Sequence, residues 1–355
     1  KQTFFSGEVR EADNADSRVL DGAVQLNWTV FDGLAMFAAK DRLEALELIG
    51  QTRLRQEIEA TVYDVLAAYY QVVQLRKGIA VQREGVRISD ERLEIARAGQ
   101  RIGSASGLAV VQAQLDQSAD SAAVLDLLVQ ESAAVARVNA LMGNAPATEL
   151  ALGTDIPSTQ PMEFGEIQQA ARNANSVLQL ARQERIAADF SVKQLRGALL
   201  PQVDVFGNYG YTKSTSAVGF LQSNRSIGPD YGARIYIPLF NGAQANKAMQ
   251  VAKLTREQAA ISTEQAELML EESLLNAWTD HTTANQRVAL EQSNLSGART
   301  QTDVALESYR LGAITAVELR EVQQGLITAE QRLLAAQYEA KLAELQLKWL
   351  AGELP

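Results

Sequence analysis

The chain contains no cysteine and a single histidine, His281, in 355 residues. The first absence excludes disulfide staples, thiolate zinc sites and cysteine nucleophiles; the second excludes a multi-histidine metal centre within one chain. Proline is scarce too, at 7 residues, which leaves room for helices much longer than those of an ordinary globular domain. With 33 lysines and arginines against 43 acidic residues, the formal charge of -10 is unfavourable for gripping phosphates, and no nucleic-acid partner is expected. No nucleotide-binding loop, nucleophile triad or metal-ligand cluster is legible, so enzymatic activity, a cofactor and a metal site are not expected. Nor does any apolar run approach the roughly 20 residues of a spanning helix. That absence concerns helices only. A transmembrane β-strand takes about 9 to 11 residues with alternating side chains. The mean hydropathy of -0.12 is blind to such a pattern.

What the sequence does contain is an internal duplication. Val30-Phe31-Asp32-Gly33 returns as Leu239-Phe240-Asn241-Gly242, 209 positions later. The same offset relates Leu66 to Leu275, Ala68 to Ala277, Arg101 to Arg310, Gly103 to Gly312, Gln114 to Gln323, Leu141 to Leu350 and Gly143 to Gly352, without a gap. A solenoid would show several shorter repeats; this is one unit copied once. The division expected is a first repeat over 1–143, a crossover linker over 144–162 and a second repeat over 163–355.

Each copy reads as strand, long helix, small turn and shorter helix. Residues 23–31 and 231–239 alternate at period two and are followed by Asp-Gly or Asn-Gly. Residues 35–98 and 244–310 are rich in Ala, Leu, Glu, Gln and Arg and lack proline. At 1.5 Å per residue each predicts a rod on the order of 100 Å. Glycine and small polar residues at 99–107 and 311–315 break the pattern before helices resume over 108–141 and 316–350, predicting two antiparallel hairpins. A further helix is predicted over 163–197, and Gln202–Ser214 reads as a strand paired with 231–239 across a loop of 214–230. The matching hairpin of the first repeat would pair 3–11 with 22–31. No counterpart of helix 163–197 is found in the first repeat, so roughly 40 residues of helix and strand are expected ahead of Lys1 in the natural protein. Four strands cannot close a membrane barrel, because open sheet edges are not tolerated in hydrocarbon, whereas two, three or four copies could.

In its duplicated architecture, its strand endings VFDG and PLFNG and its turns IGSAS (102–106) and LGAIT (311–315), the chain resembles the outer-membrane channel-tunnel (TolC-like) efflux proteins. The resemblance implies a mainly α fold with a membrane β-barrel portion. Long helical hairpins would form a trimeric α-barrel continuous with a 12-stranded β-barrel, each chain giving four strands. It further implies a passive exit duct for efflux or type I secretion, set in outer-membrane lipid and extending into the periplasm. A homotrimer would work there with a periplasmic adaptor and an inner-membrane transporter that supplies the energy. A soluble or peripheral coiled-coil scaffold is the alternative, and it leaves the paired alternating strands without a purpose.

By the same resemblance the hairpin turns at Gly103, Ser104, Gly312 and Ala313 are where adaptor or transporter would dock. Tyr309, three residues before Gly312, together with Glu318 and Glu321, six and nine residues beyond it, would line the pore constriction. The first repeat has Ala109 and Gln112 at the places of the two glutamates. Symmetry turns one carboxylate into a ring, and a ring in a narrow opening attracts cations. The position two residues after Gly312, an arginine in some relatives, is Ile314 here. Trp28, Phe206, Tyr209 and Tyr211 are candidates for an aromatic girdle. His281, inside a long helix, is read as a surface or packing residue.

Overall fold

In the computed structural model, residues 2–3, 5–10, 16–151, 153–216 and 222–354 are described. The long proline-free stretches are uninterrupted helices, α1 (Ala35–Arg101) and α5 (Gln244–Arg310), each of 67 residues. Their bounds differ by the 209 positions of the duplication at both ends. The shorter partners are α2 (Gly107–Leu141) and α6 (Ala316–Ala351). Before α1, Gly33 and Leu34 both take positive φ (70° and 69°), and the duplication repeats this at Gly242 and Ala243 (67° and 64°). Glycine is required at 33 for a second reason: a Cβ there would lie 2.3 Å from the Gly197 carbonyl oxygen.

One predicted helix is divided. The stretch 163–197 forms α3 (Phe164–Ala174) and α4 (Ser176–Gly197), interrupted at Asn175. The Asn175 backbone leaves the helical region (ψ 120°), and its side chain accepts from the Leu178 N–H (3.0 Å) while donating to the Leu350 carbonyl (3.0 Å). A buried side-chain amide thus starts a new helix at the expense of the old one.

Contacts divide the chain into one unit of Lys1–Ile49 with Gln183–Ser262 and another of Gly50–Arg182 with Thr263–Pro355. Each draws segments from both halves of the duplication. In the second unit, Ala171 and Leu178 of α3 and α4 meet Leu274, Ala277 and Leu347 of α5 and α6 in a core, while Ala68 and Val72 of α1 meet Ala134 and Val138 of α2. Alanine recurs in these contacts because its small side chain lets long helices approach closely. His281 occupies the position of Val72 in the second repeat and is buried, 6% exposed. It is a packing residue, beside Trp278 at 6.0 Å between ring centres.

The first unit carries an antiparallel sheet ordered β3 (Ser17–Phe31), β4 (Gln202–Ser216), β5 (Ser223–Tyr236). All three exceed the length needed to cross a bilayer. The strands run further than the sequence pattern indicates. Most of 214–230, expected as a loop, is strand, including Pro229 opposite Tyr209. Its Ser, Asn, Gly and Pro composition hides it. The expected pairing of 3–11 with 22–31 is absent among the described residues; 4 and 11 lie outside them. Instead β1 (Gln2–Thr3) pairs with β2 (Val9–Arg10) around a turn where Gly7 has φ 78°, and among the described residues β3 pairs only with β4.

The register sorts the side chains of the sheet. Leu26, Gly207 and Tyr231 are in line across it, as are Val24, Tyr209 and Pro229, and Trp28, Val205 and Ala233. Since residues alternate, this face also carries Leu20, Tyr211, Ile227 and Ile235. The other face carries Asp21, Gln25, Asn27, Thr29, Asp204, Asn208, Asp230 and Arg234. Large apolar side chains stand open on the first face, Val24 at 77% and Tyr231 at 81% exposure. Three of the four girdle candidates, Trp28, Tyr209 and Tyr211, belong to the apolar face. Phe206 belongs to the polar one, opposite Gly232, with the Arg234 guanidinium 5.6 Å from its ring centre.

Candidate functional site

The hairpin ends are where the predicted site residues fall, and both are built alike. At the end of α5 the Gly312 N–H donates to the Tyr309 carbonyl (3.0 Å) and the Ala313 N–H to that of Ser308 (2.8 Å). At the end of α1 the Gly103 N–H donates to Gln100 (3.1 Å) and the Ser104 N–H to Gly99 (2.8 Å). This closure satisfies carbonyls that a helix end leaves orphaned and requires a left-handed residue, supplied by Gly103 (φ 80°) and Gly312 (φ 73°). The next helices begin on equivalent caps. Ser106 Oγ accepts from the Ala109 N–H and Thr315 Oγ1 from the Glu318 N–H, each at 3.2 Å.

The second repeat adds a carboxylate to its cap. Glu318 Oε2 accepts from the Thr315 N–H at 2.7 Å and from its hydroxyl at 2.9 Å, completing a capping box. The Thr315 backbone N–H, then its hydroxyl, hold the Glu318 carboxyl below the usual glutamate range. Glu318 is therefore tied to its own turn, a role that the spacing Thr-x-x-Glu already encodes. Glu321, one turn further along α6, is exposed.

Between the two ends lies a cleft of about 1000 Å³ whose lining includes Ile95, Leu108, Tyr309, Ile314 and Val317. Tyr309 is half-buried in its wall, and Gly312 and Ser104 contribute to its rim; Glu318 and Glu321 are not among its lining residues. Arg92, Asp116 and Arg320, which line the cleft, belong to a charged network absent from the sequence-based expectations. Arg320 of α6 donates to both oxygens of Asp120 on α2, Nη1 at 2.6 Å and Nη2 at 2.7 Å, and Ser89 of α1 donates to the same carboxylate. Asp116, one turn earlier on α2, accepts from Arg92 Nη2 at 3.2 Å and stands 4.0 Å from Arg320. Asp120 and Arg92 are nearly inaccessible, at 5% and 6% side-chain exposure, and Arg320 is at 22%. Hydrogen bonding to Asp120 makes the Arg320 guanidinium harder still to deprotonate. The network joins the α1–α2 hairpin to the α5–α6 hairpin. Its one sequence signal is asymmetry: at the repeat offset, Asp116, Asp120 and Arg320 correspond to Gly325, Ala329 and Val111.

One unit holds a sheet with an apolar and a polar face, and the other holds paired helical hairpins with a charged cleft at their ends; both are features that suit a membrane channel. The family model described as outer membrane efflux protein matches residues 6–144 and 167–353, and the chain belongs to that family. It is 22% identical over 336 residues to the outer membrane efflux protein BepC of Brucella suis, covering 93% of this chain and 72% of that one. Over 357 residues it is 21% identical to the alkaline protease secretion protein AprF of Pseudomonas aeruginosa, covering 99% of this chain and 73% of the relative. The fold is that of the outer membrane protein VceC of Vibrio cholerae, with a TM-score of 0.76 at 15% identity over 96% of this chain and 87% of that one. The protein is an export channel of the bacterial outer membrane that extends into the periplasm, in which a helical barrel and a β-barrel are combined.

Proposed function

We propose that the chain works as a homotrimer, a passive exit duct for a tripartite efflux or type I secretion system, in which a periplasmic adaptor and an inner-membrane transporter engage it. The two faces of the β3–β5 sheet carry this reading: an apolar face suits lipid and a polar face suits an aqueous lumen. Among the described residues β3 and β5 pair only with β4, so each leaves an edge whose backbone groups find no water in a bilayer. Other copies of the chain would close it; β3, β4 and β5 supply three strands, and with the fourth strand per chain that the family resemblance implies, three copies would give a 12-stranded barrel. No chemical step is assigned to the chain; the transporter supplies the energy.

The hairpin ends form the periplasmic mouth in this reading. Gly103, Ser104, Gly312 and Ala313 present the turns to adaptor or transporter, and Tyr309, Glu318 and Glu321 line the constriction, where threefold symmetry makes each carboxylate a ring. Glu321 acts as an exposed charge. Glu318 adds its field from a fixed position, because its cap holds it ionised. The arrangement favours cations at the mouth. Single-channel recording in planar bilayers tests it: cation selectivity should fall for Glu321→Gln and fall further when Glu318→Gln is added. Unchanged selectivity in the double variant would remove both residues from the constriction. A monomer in detergent, by chemical cross-linking and mass, would refute the trimer.

A further inference from the structure

We propose that the outer rim of the barrel holds a binding site for the phosphorylated headgroup of an anionic outer-leaflet lipid, formed by Arg18, Lys213 and Arg225. The register brings these residues together. Lys213 is directly opposite Arg225 on β5 and directly opposite Leu20 on β3, while Arg18 is opposite Thr215, the next residue of the same face. All three cations therefore share the face of Leu26, Tyr209 and Tyr231, the one assigned to lipid, and occupy its last two rows at the end of the β4–β5 hairpin. The opposite ends of these strands lead into the helices. Because the helices are periplasmic, the basic rows belong to the outer leaflet.

Like charges directly opposite one another on a sheet are destabilising unless something neutralises them. Nothing in the sheet does so here: Asp21, Asp204 and Asp230 all fall on the polar face. Arg18 pairs with Asp16 at 3.0 Å, both groups being exposed, and Arg225 stacks 5.4 Å from the centre of the Tyr211 ring. Among the described residues neither Lys213 nor Arg225 has a carboxylate partner. Tyr211 and Ile227 form the adjoining row on the membrane side, so an aromatic and an aliphatic contact stand where acyl chains begin, with the cations one row beyond, at headgroup depth. Two guanidinium groups and an ammonium fit a phosphate monoester or diester of a lipid, with arginine supplying the paired donors.

The test uses the full chain in nanodiscs of phosphatidylethanolamine containing either bis-phosphorylated lipid A or its dephosphorylated form, with retained lipid counted by native mass spectrometry. The unmodified protein should retain the phosphorylated form in clear preference; equal retention of both overturns the proposal without any variant being made. At about fivefold per cation, Lys213→Gln with Arg225→Gln should lower retention roughly 25-fold. Arg234→Gln, on the polar face, should change it little, and equal losses at both places would also overturn the proposal. Inorganic phosphate should not displace the lipid, since the site needs the row of Tyr211 and Ile227 as well; displacement at millimolar phosphate would reduce it to a free-anion site and refute the lipid assignment. The sheet's orientation in the membrane underlies this proposal, whereas conduction does not. A channel that conducts as expected but ignores the lipid's phosphates would defeat only the rim site.

Discussion

Replacing Asp120 by alanine is the perturbation with the largest reach, because that one carboxylate accepts from Arg320 twice and from Ser89, tying α2 to α6 and to α1. Removing one partner of a buried ion pair costs about 3 to 5 kcal/mol through the charge left behind. Arg320 retains 22% side-chain exposure and has Asp116 at 4.0 Å, so water and a second carboxylate recover part of this and about 2 to 3 kcal/mol remains. If the closed mouth needs the two hairpins joined, that energy is lost from the closed state alone, because the open state lacks the bridge. The open-to-closed ratio should then rise roughly 30- to 150-fold, at about 1.4 kcal/mol per tenfold. Planar-bilayer recordings of open probability measure it directly. A double-mutant cycle with Arg320→Ala should give a coupling of about 2 kcal/mol in urea unfolding, within the range for groups in one network. A substantial loss of stability with unaltered open probability would refute the idea that this bridge holds the mouth closed. Coupling below about 0.5 kcal/mol would refute the ion pair as an energetic unit.

Glu318→Ala and Glu318→Gln should separate two roles of one side chain: glutamine preserves a capping box and alanine does not, so only alanine should speed amide exchange at the start of α6. The Glu318 carboxyl titrates below its ordinary value in the folded protein, so its contribution is complete above pH about 4.5 and is lost as pH falls through the lowered value. Amide protection at 316–319 should fall in that window and be flat in Glu318→Gln. His281 has the same sign in a higher pH window, although there the fold favours the neutral form rather than the charged one. Burial lowers its pKa, with a smaller raising effect from Glu344, so folding favours the neutral ring and stability should decline as pH drops below about 6.5. His281→Val, which installs the residue of the first repeat, should flatten urea midpoints between pH 7 and pH 5. In the sheet, Leu26→Arg should cost about 2 to 4 kcal/mol in bilayer-embedded unfolding and Gln25→Arg close to none. Equal costs would contradict the assignment of faces.

Much of this molecule is legible in its sequence because duplication doubles every local signal. The helix ends at 101 and 310, the left-handed glycines at 103 and 312 and the paired caps at 106 and 315 each recur at one offset, so a weak turn motif is read twice. Signals present in one copy only are harder to read. Asn175 looks like any polar helical residue until Leu350, 175 positions away, accepts its amide hydrogen. Strand residues 223–230 read as loop because that stretch has a single large apolar side chain, Ile227. The network of Arg92, Asp116, Asp120 and Arg320 is illegible in the sequence for a related reason. In a chain with 76 charged residues, spacing along a helix cannot distinguish a solvated acid from one buried by a helix 200 positions away. For Glu318 the resemblance implies a place at the pore, whereas the role the structure gives it, the cap, is legible from Thr315 three residues before it.

The equal lengths of α1 and α5 make them matched rulers, and this constrains how the protein can change. Deleting one residue from α1 would draw its tip back by about 1.5 Å and rotate it by about 100°, turning Ser89 and Arg92 away from Asp116 and Asp120. Deleting seven would nearly restore the facing side but leave the tip about 10 Å short of its twin, with the Arg320 bridge out of reach. Length variation is therefore tolerable only as a paired event, the same number of residues lost or gained in both helices at once. Substitutions, by contrast, can accumulate independently in each. A gapless register over dissimilar side chains is the record that such a constraint leaves.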